Sequence, residues 1–238
     1  EVDDAVKQVI KKGNLTTLNC PEEVFLAEKL LSLHPWAKKV KFARTGGEAN
    51  AIAIRIARAA SRKENVAFCG YHGWHDWYLA ANLRNKNNLE GHLMPGLEPI
   101  GVHSNLRNTS FGFQYNNFNQ LEKLVNKENI GIIKMEVSRS KQPNINFLKK
   151  VRNLATKKNI VLIFDECTSG FRQCFGGLHK LTNVNPDMAI FGKALGNGYA
   201  ITAILGKDSI MESAKKSFIS STFWTERIGP TAAIKTLE

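Results

Sequence analysis

Short apolar runs alternate along this chain with stretches in which apolar residues recur every three or four positions. The runs Val40–Ala43, Val66–Cys69, Gly131–Met135, Ile160–Phe164, Met188–Phe191 and Ala200–Leu205 predict strands. Pro21–Leu33, Glu48–Arg62, Asn119–Asn126 and Phe147–Lys157 carry the helical period. Pro21 suits a first helical position, and Glu22 and Glu23 favour the positive end of the helix dipole. Between Asn85 and Asn117 the alternation breaks down. That stretch is rich in Asn, Gly and Pro and predicts one long loop, of the kind that often serves as a lid or binding loop. Thr231–Glu238 reads as a helix that runs to the last residue. Strands separated by helices predict an α/β fold, a mostly parallel sheet with helices on both faces. Ligands on such sheets bind beyond the strand ends, so the residues there are the first to ask about chemistry.

Lys193 follows the predicted strand Met188–Phe191 and lies amid Gly192, Gly196 and Gly198. A lysine so placed can form a Schiff base with an aldehyde cofactor. Burial is expected to lower its pKa so that the neutral amine can attack. Asp165 closes Ile160–Phe164. A buried carboxylate there is costly if unpaired, and a pyridinium would supply the missing cation. Glu166 is expected to be a structural acceptor, and Cys167 a small inert contact beside the cofactor plane rather than a nucleophile. Thr45-Gly46-Gly47-Glu48 opens the helix after strand Val40–Ala43. Helix N–H groups there can hold a phosphate, although a plain tight turn gives the same pattern. The run is neither a dinucleotide fingerprint nor a P-loop. In Gly70-Tyr71-His72-Gly73-Trp74-His75-Asp76-Trp77 the Tyr71 ring can stack on a flat heterocycle. Trp74, Trp77 and Tyr78 are expected to form a core cluster. His72 and His75 lack further ligands in the sequence, so no metal is expected.

Taken in order, these motifs resemble the class III aminotransferases of pyridoxal phosphate (PLP) fold type I, most closely the branch similar to glutamate-1-semialdehyde aminomutase. The family's Ser-Gly-Thr-Glu-Ala is similar to Thr45-Gly46-Gly47-Glu48-Ala49, and its Tyr-His-Gly to Tyr71-His72-Gly73. Its Asp-Glu-Val is similar to Asp165-Glu166-Cys167, and its Gly-Lys to Gly192-Lys193. The resemblance implies the large, PLP-binding domain of that fold over residues 1–238, without the N-terminal segment and the C-terminal small domain. It implies Lys193 as cofactor lysine and proton carrier, Asp165 on the pyridine nitrogen, and Tyr71 on the ring with His72 adjacent. It further implies Thr45, Gly46 and Gly47 at the phosphate, and Glu136 and Cys167 beside the cofactor. Thr222 is then the residue lent to a partner subunit's phosphate in a homodimer. The implied substrates are a small-molecule amine donor and a carbonyl acceptor. Intramolecular amino transfer is the alternative reaction, and an inactive binding module that keeps the fold is the alternative of another class. The chain departs from the family pattern at Gly47, at Val137 and over Phe223–Arg227.

Composition changes this picture little. The net charge of +12 could mark a nucleic-acid binder, but the lysines are scattered in small groups, so no nucleic-acid partner is expected. No apolar run approaches the roughly 18 residues of a membrane span. Cys20, Cys69, Cys167 and Cys174 form no C-x-x-C and suggest reduced thiols in a cytoplasmic protein. The first residues are Glu1-Val2-Asp3-Asp4, without methionine, so the sequence is expected to be an internal piece of a longer chain.

Overall fold

A computed structural model of the protein describes residues 1–139, 142 and 144–238. Seven strands form one sheet: β1 (Lys39–Ala43), β2 (Asn65–Cys69), β3 (Ser110–Gly112), β4 (Ile130–Glu136), β5 (Val161–Glu166), β6 (Met188–Phe191) and β7 (Thr202–Gly206). Their order is β1-β7-β6-β5-β4-β2-β3. The pairings from β6 across to β3 are parallel, whereas β7 runs antiparallel to both β6 and β1. The expected strand Ala200–Leu205 therefore begins two residues later and reverses direction.

The helices are α1 (Val2–Ile10), α2 (Pro21–Leu33), α3 (Gly46–Ser61), α4 (Asp76–Leu79), α5 (Phe118–Lys127), α6 (Ile145–Lys157), α7 (His179–Thr182), α8 (Asp208–Met211) and α9 (Ile228–Leu237). Helix α3 covers one face of the sheet. Its Ile52, Ala53 and Ile56 pack with Val66, Phe68, Ile132, Ile163, Ile190 and Ile204. Helices α5 and α6 cover the other face against Ala67, Cys69, Ile133, Met135, Leu162 and Phe164. Beneath β6 and β7, Leu26, Leu30, Ala233 and Leu237 from α2 and α9 pack on Ala189, Phe191, Ala203 and Leu205. The period of two along each strand thus sorts its residues between the two layers. On β4 it turns Ile132, Lys134 and Glu136 toward the α3 side, and on β5 it does the same for Ile163 and Asp165.

Two expectations change. The segment expected as one loop from Asn85 to Asn117 contains β3, a three-residue edge strand on β2. Trp77 and Tyr78 are core residues, but Trp74 is 71% exposed. Trp74 precedes the helical turn α4, so it does not share the inward face of that turn. Helix α1, which carries its buried Val6 and Val9 on one side, was not apparent from the pattern alone. Among the described residues no helix is long and apolar enough to cross a membrane.

Candidate active site

The residues at the carboxyl ends of β2, β4, β5 and β6 and the first turn of α3 come together around Cys167 and Asp165. Asp165 lies at their centre. Only 4% exposed, it accepts from Cys167 N–H through Oδ1 at 3.1 Å. Its Oδ2 faces His72 Nδ1 at 2.9 Å and Lys134 Nζ at 3.3 Å. Burial works against its charge, but Lys134 and His72 outweigh that and hold its carboxyl well below the usual carboxylate range. Besides the pyridinium expected there, the chain itself supplies a basic partner to this carboxylate. Lys134 is fully buried and was not singled out in the sequence. The signal was a lone basic residue inside the apolar run of β4.

His72 is buried, and its Nε2 faces Cys69 O at 3.2 Å. Burial, with Lys134 beside it, pulls the ring's pKa down to about 4 against the hydrogen bond to Asp165. The neutral ring has one proton to give. Donation from Nδ1–H to the carboxylate is the stronger arrangement, since the acceptor is charged and nearer.

Glu136 ends β4 directly opposite Asp165 in the register. Its Oε2 accepts from Tyr71 N–H at 2.8 Å. Burial and the nearby Asp165 charge raise its pKa to about 7, although the Tyr71 N–H opposes the shift. Gly70 makes this contact possible. Its φ is +105°, and a Cβ there would lie 2.5 Å from Glu136 Oε2. Gly70 N–H donates to His92 Nδ1 at 3.1 Å. Burial lowers the His92 pKa to about 4, which keeps Nδ1 free to accept. Nothing in the pattern around His92 marks it, because its neighbours read as loop. The Tyr71 ring is partly exposed, with the Arg139 guanidinium 5.3 Å from its centroid. Arg139 is held by His92 O at 2.7 Å.

At the head of α3, Thr45 Oγ1 accepts from Glu48 N–H at 3.2 Å, the geometry of an N-cap. A Cβ on Gly47 would lie 2.8 Å from the His75 ring, so that glycine makes room for a histidine. Cys167 Sγ joins the walls of the cleft. Cβ atoms built on Gly46 and Gly192 would lie 3.7 and 3.4 Å from it. Burial and the adjacent Asp165 push this thiol's pKa up, away from the thiolate a nucleophile needs.

Lys193 follows β6 with φ +45°, the left-handed region that a residue with a side chain seldom enters. Its Nζ donates to Thr168 Oγ1 at 2.9 Å, and the side chain is exposed. The expected burial of Lys193 is therefore corrected: it opens the short turn Lys193–Gly196, and its side chain stands exposed. Thr222 is exposed in the turn Thr222–Thr225. The next residue, Phe223, accepts from Arg44 through its carbonyl, which ties that turn to the residue before Thr45. Thus Asp165, His72, Glu136, Tyr71, Cys167 and Gly46 are contiguous, Gly47 is packed on His75, and Lys193 and Thr222 lie outermost.

Comparison with known proteins bears on the family and the fold. The family model described as Aminotransferase class-III matches residues 1–238. The chain is 38% identical to 3-aminobutyryl-CoA aminotransferase of Cloacimonas acidaminovorans, over 100% of this chain and 56% of that protein. It is 34% identical to glutamate-1-semialdehyde 2,1-aminomutase of Nitrosopumilus maritimus, over 100% of this chain and 57% of that protein. A solved transaminase with PLP bound superposes with a TM-score of 0.87 at 22% identity, over 99% of this chain and 57% of the other. The chain spans little more than half the length of the curated relatives it matches.

Proposed function

The chain belongs to the class III aminotransferase family, and from that premise we propose that it is the cofactor-binding part of a PLP-dependent aminotransferase. One observation carries the reading. An ionised carboxylate, a lysine amine, an aromatic face and a glycine-rich helix start all follow or close strands at the same end of the sheet. That donor set suits a phosphorylated pyridine aldehyde. The carboxylate matches a ring nitrogen, Tyr71 matches the ring face, and the N–H groups of Gly46 and Gly47 match a phosphate. Neither a dinucleotide fingerprint nor a metal cluster is needed to account for these residues.

When bound, PLP supplies an electron-accepting ring that stabilises charge developing at the substrate carbon. The chain's own residues do the rest. Asp165, fixed by His72, Lys134 and Cys167 N–H, holds the ring nitrogen by charge. Lys193 Nζ would carry a proton between the substrate carbon and the cofactor's aldehyde carbon, on either side of the transferred nitrogen. Thr168 Oγ1, its partner in the free protein, steadies the amine when it is not engaged. Tyr71 limits the tilt of the ring, and its own backbone is held by Glu136. Cys167 lines the cofactor plane as an apolar contact. Thr45 and the first turn of α3 take the phosphate.

The reading extends to a homodimer in which Thr222 reaches the partner's phosphate site, and to a cytoplasmic enzyme acting on a small amine donor and a carbonyl acceptor. The exposure of the Thr222 turn and its tie to Arg44 support the first. The free state of all four cysteines suits the second. The N-terminal segment and small domain expected outside residues 1–238 would complete the substrate pocket. Intramolecular amino transfer is the second reading, favoured by the 34% identity to an aminomutase.

The test uses the full-length protein. PLP is added, the visible spectrum recorded, the mixture reduced with borohydride and its peptides mass-mapped. A new absorption band with the mass increase fixed on Lys193, abolished in Lys193→Ala, is the expected result. A blank spectrum, or a label on another lysine, sinks the proposal. Turnover without an added acceptor separates the aminomutase reading from the transaminase reading.

A further inference from the structure

Lys134 has no role in the chemistry just described beyond its contact with Asp165, yet it is a fully buried basic side chain. It sits on β4, next to the centre of the sheet, and its side chain is 0% exposed. Strand alternation aims it at the α3 layer, between Ile132 and Glu136, where an apolar residue would ordinarily pack. The register sets Lys134 opposite Ile163 and Glu136 opposite Asp165. Asp165 is thus its diagonal neighbour on the same face, within reach of a long side chain. Its amine contacts Asp165 Oδ2, the same oxygen that faces His72 Nδ1, and burial lowers its pKa while Asp165, Cys167 and Glu136 favour its charge. A buried ammonium with no counter-charge costs several kcal/mol, and a buried carboxylate does the same. Each answers the other at 3.3 Å. The load on Asp165 is uneven: Oδ2 serves both Lys134 and His72, while Oδ1 serves one backbone N–H.

We propose that Lys134 is a positioning residue, a built-in counter-ion that keeps Asp165 charged and in place before any cofactor arrives and then competes with the cofactor's ring nitrogen for that carboxylate. The second half rests on the PLP reading above; the first half does not. The consequence is a preformed but moderated anchor. The site does not depend on the cofactor to neutralise its buried acid, and the ring nitrogen meets a carboxylate whose charge is already shared.

The experiment compares full-length wild type, Lys134→Met, Asp165→Asn and the double variant, each freed of ligand and then titrated with PLP. In the ligand-free proteins, thermal unfolding midpoints form a double-mutant cycle. Each single variant is expected to lose several degrees, with the double variant regaining at least half of the larger loss. In the titration, Lys134→Met is expected to bind PLP about tenfold more tightly than wild type, the equivalent of one pKa unit at the ring nitrogen. Asp165→Asn is expected to bind it more weakly. A double variant that regains nothing overturns the ion pair. Should Lys134→Met loosen PLP as Asp165→Asn does, the competition is overturned. Failure of all four proteins to bind PLP removes the functional reading and the competition together, while the ligand-free cycle still decides the ion pair. If Lys134→Met alone fails to fold and the double variant folds, the coupling is upheld in its strongest form.

Discussion

Asp165 and Glu166 are adjacent on β5 and both are buried, but they face opposite layers of the sheet and live in different company. Glu166 receives donors from Ser169 Oγ, Leu178 N, His179 N and His179 Nδ1, all within 13 residues along the chain. Trp36 Nε1–H donates to His179 Nε2, so the remaining ring proton is on Nδ1 and points at Glu166. His34 stacks on that ring. A Cβ on Gly177 would lie 2.7 Å from Glu166 Oε1, which shows how tightly the loop closes on the acid. Glu166 is therefore saturated, and it clamps the chain between β5 and β6. Asp165 draws its side-chain partners from 93 and 31 residues away, on the β2 exit and on β4. It is a buried meeting point of residues from the β2 exit, β4 and β5. Two neighbouring carboxylates are thereby given different work: one closes a local loop, the other is charged, held and available.

Exchanging the charge of each acid tests this division most severely. Asp165→Asn is expected to lower kcat of the full-length enzyme by about 10²–10³, the range seen when one preorganised electrostatic contact is lost. Glu166→Gln, which keeps most acceptor positions, is expected to stay within about tenfold of wild type. Steady-state rates on one amine donor decide the matter, and equal losses would erase the distinction.

Stability should reverse that ranking. Glu166→Ala strands four donors in the interior, and the expected loss is about 3–5 kcal/mol, as for breaking a buried pair. Denaturant unfolding measures it. A loss below about 1 kcal/mol would mean that water replaces the carboxylate, and the clamp would then be incidental.

How far each side could be read from sequence follows the same line. Asp165, Lys193, Tyr71 and the Thr45-Gly46-Gly47 turn were legible because they close apolar strands or open a periodic helix, and position alone marks them. Glu166 was legible as a structural acceptor for the same reason. Lys134 was not, because its role depends on the β4–β5 register, which pairs residues about thirty apart. His92 was hidden by a stretch without periodicity, and it reaches Gly70 only after the segment folds back to add β3. Lys193 was placed correctly in the fold but wrongly inside it, since nothing in the glycines around it reveals that the side chain of this left-handed residue stands exposed. Trp74 was grouped with Trp77 by composition, although the chain turns between them.

The pH response of the cleft sharpens the comparison further. Glu136 has its pKa raised from 4.5 to about 7 in the folded protein. A carboxyl whose folded pKa is raised contributes stability that is full below the unfolded value and lost as pH rises through the folded one. Glu136→Gln cannot ionise and keeps an acceptor for Tyr71 N–H. It should therefore gain on wild type as pH climbs from about 4.5 to 7, by at most about 3 kcal/mol. Asp165 has the opposite sign, with its pKa lowered, so its contribution is present above about 3.8 and lost only as pH falls through its folded value. Unfolding midpoints of the two proteins across this range check the sign, and parallel curves would place Glu136 among ordinary exposed acids.

The smallest effect is expected at Cys167, between the two acids' domains of influence. Its Sγ lies where Cβ atoms on Gly46 and Gly192 would meet it, and its thiol is held protonated by burial. If it serves only to fill that gap, Cys167→Val exchanges one small apolar group for another and costs under about 1.5 kcal/mol, the usual limit for volume-conserving swaps. PLP affinity should then change by no more than a few fold. Cys167→Leu adds bulk where Gly46 and Gly192 leave little, and should both weaken PLP binding and cost about 1–3 kcal/mol of stability, the usual range for overpacking. Titration with PLP beside a thermal melt separates the two quantities. A large stability loss in the valine variant would show that the thiol has a polar task, and the wall between the cleft and β5 would need a different account.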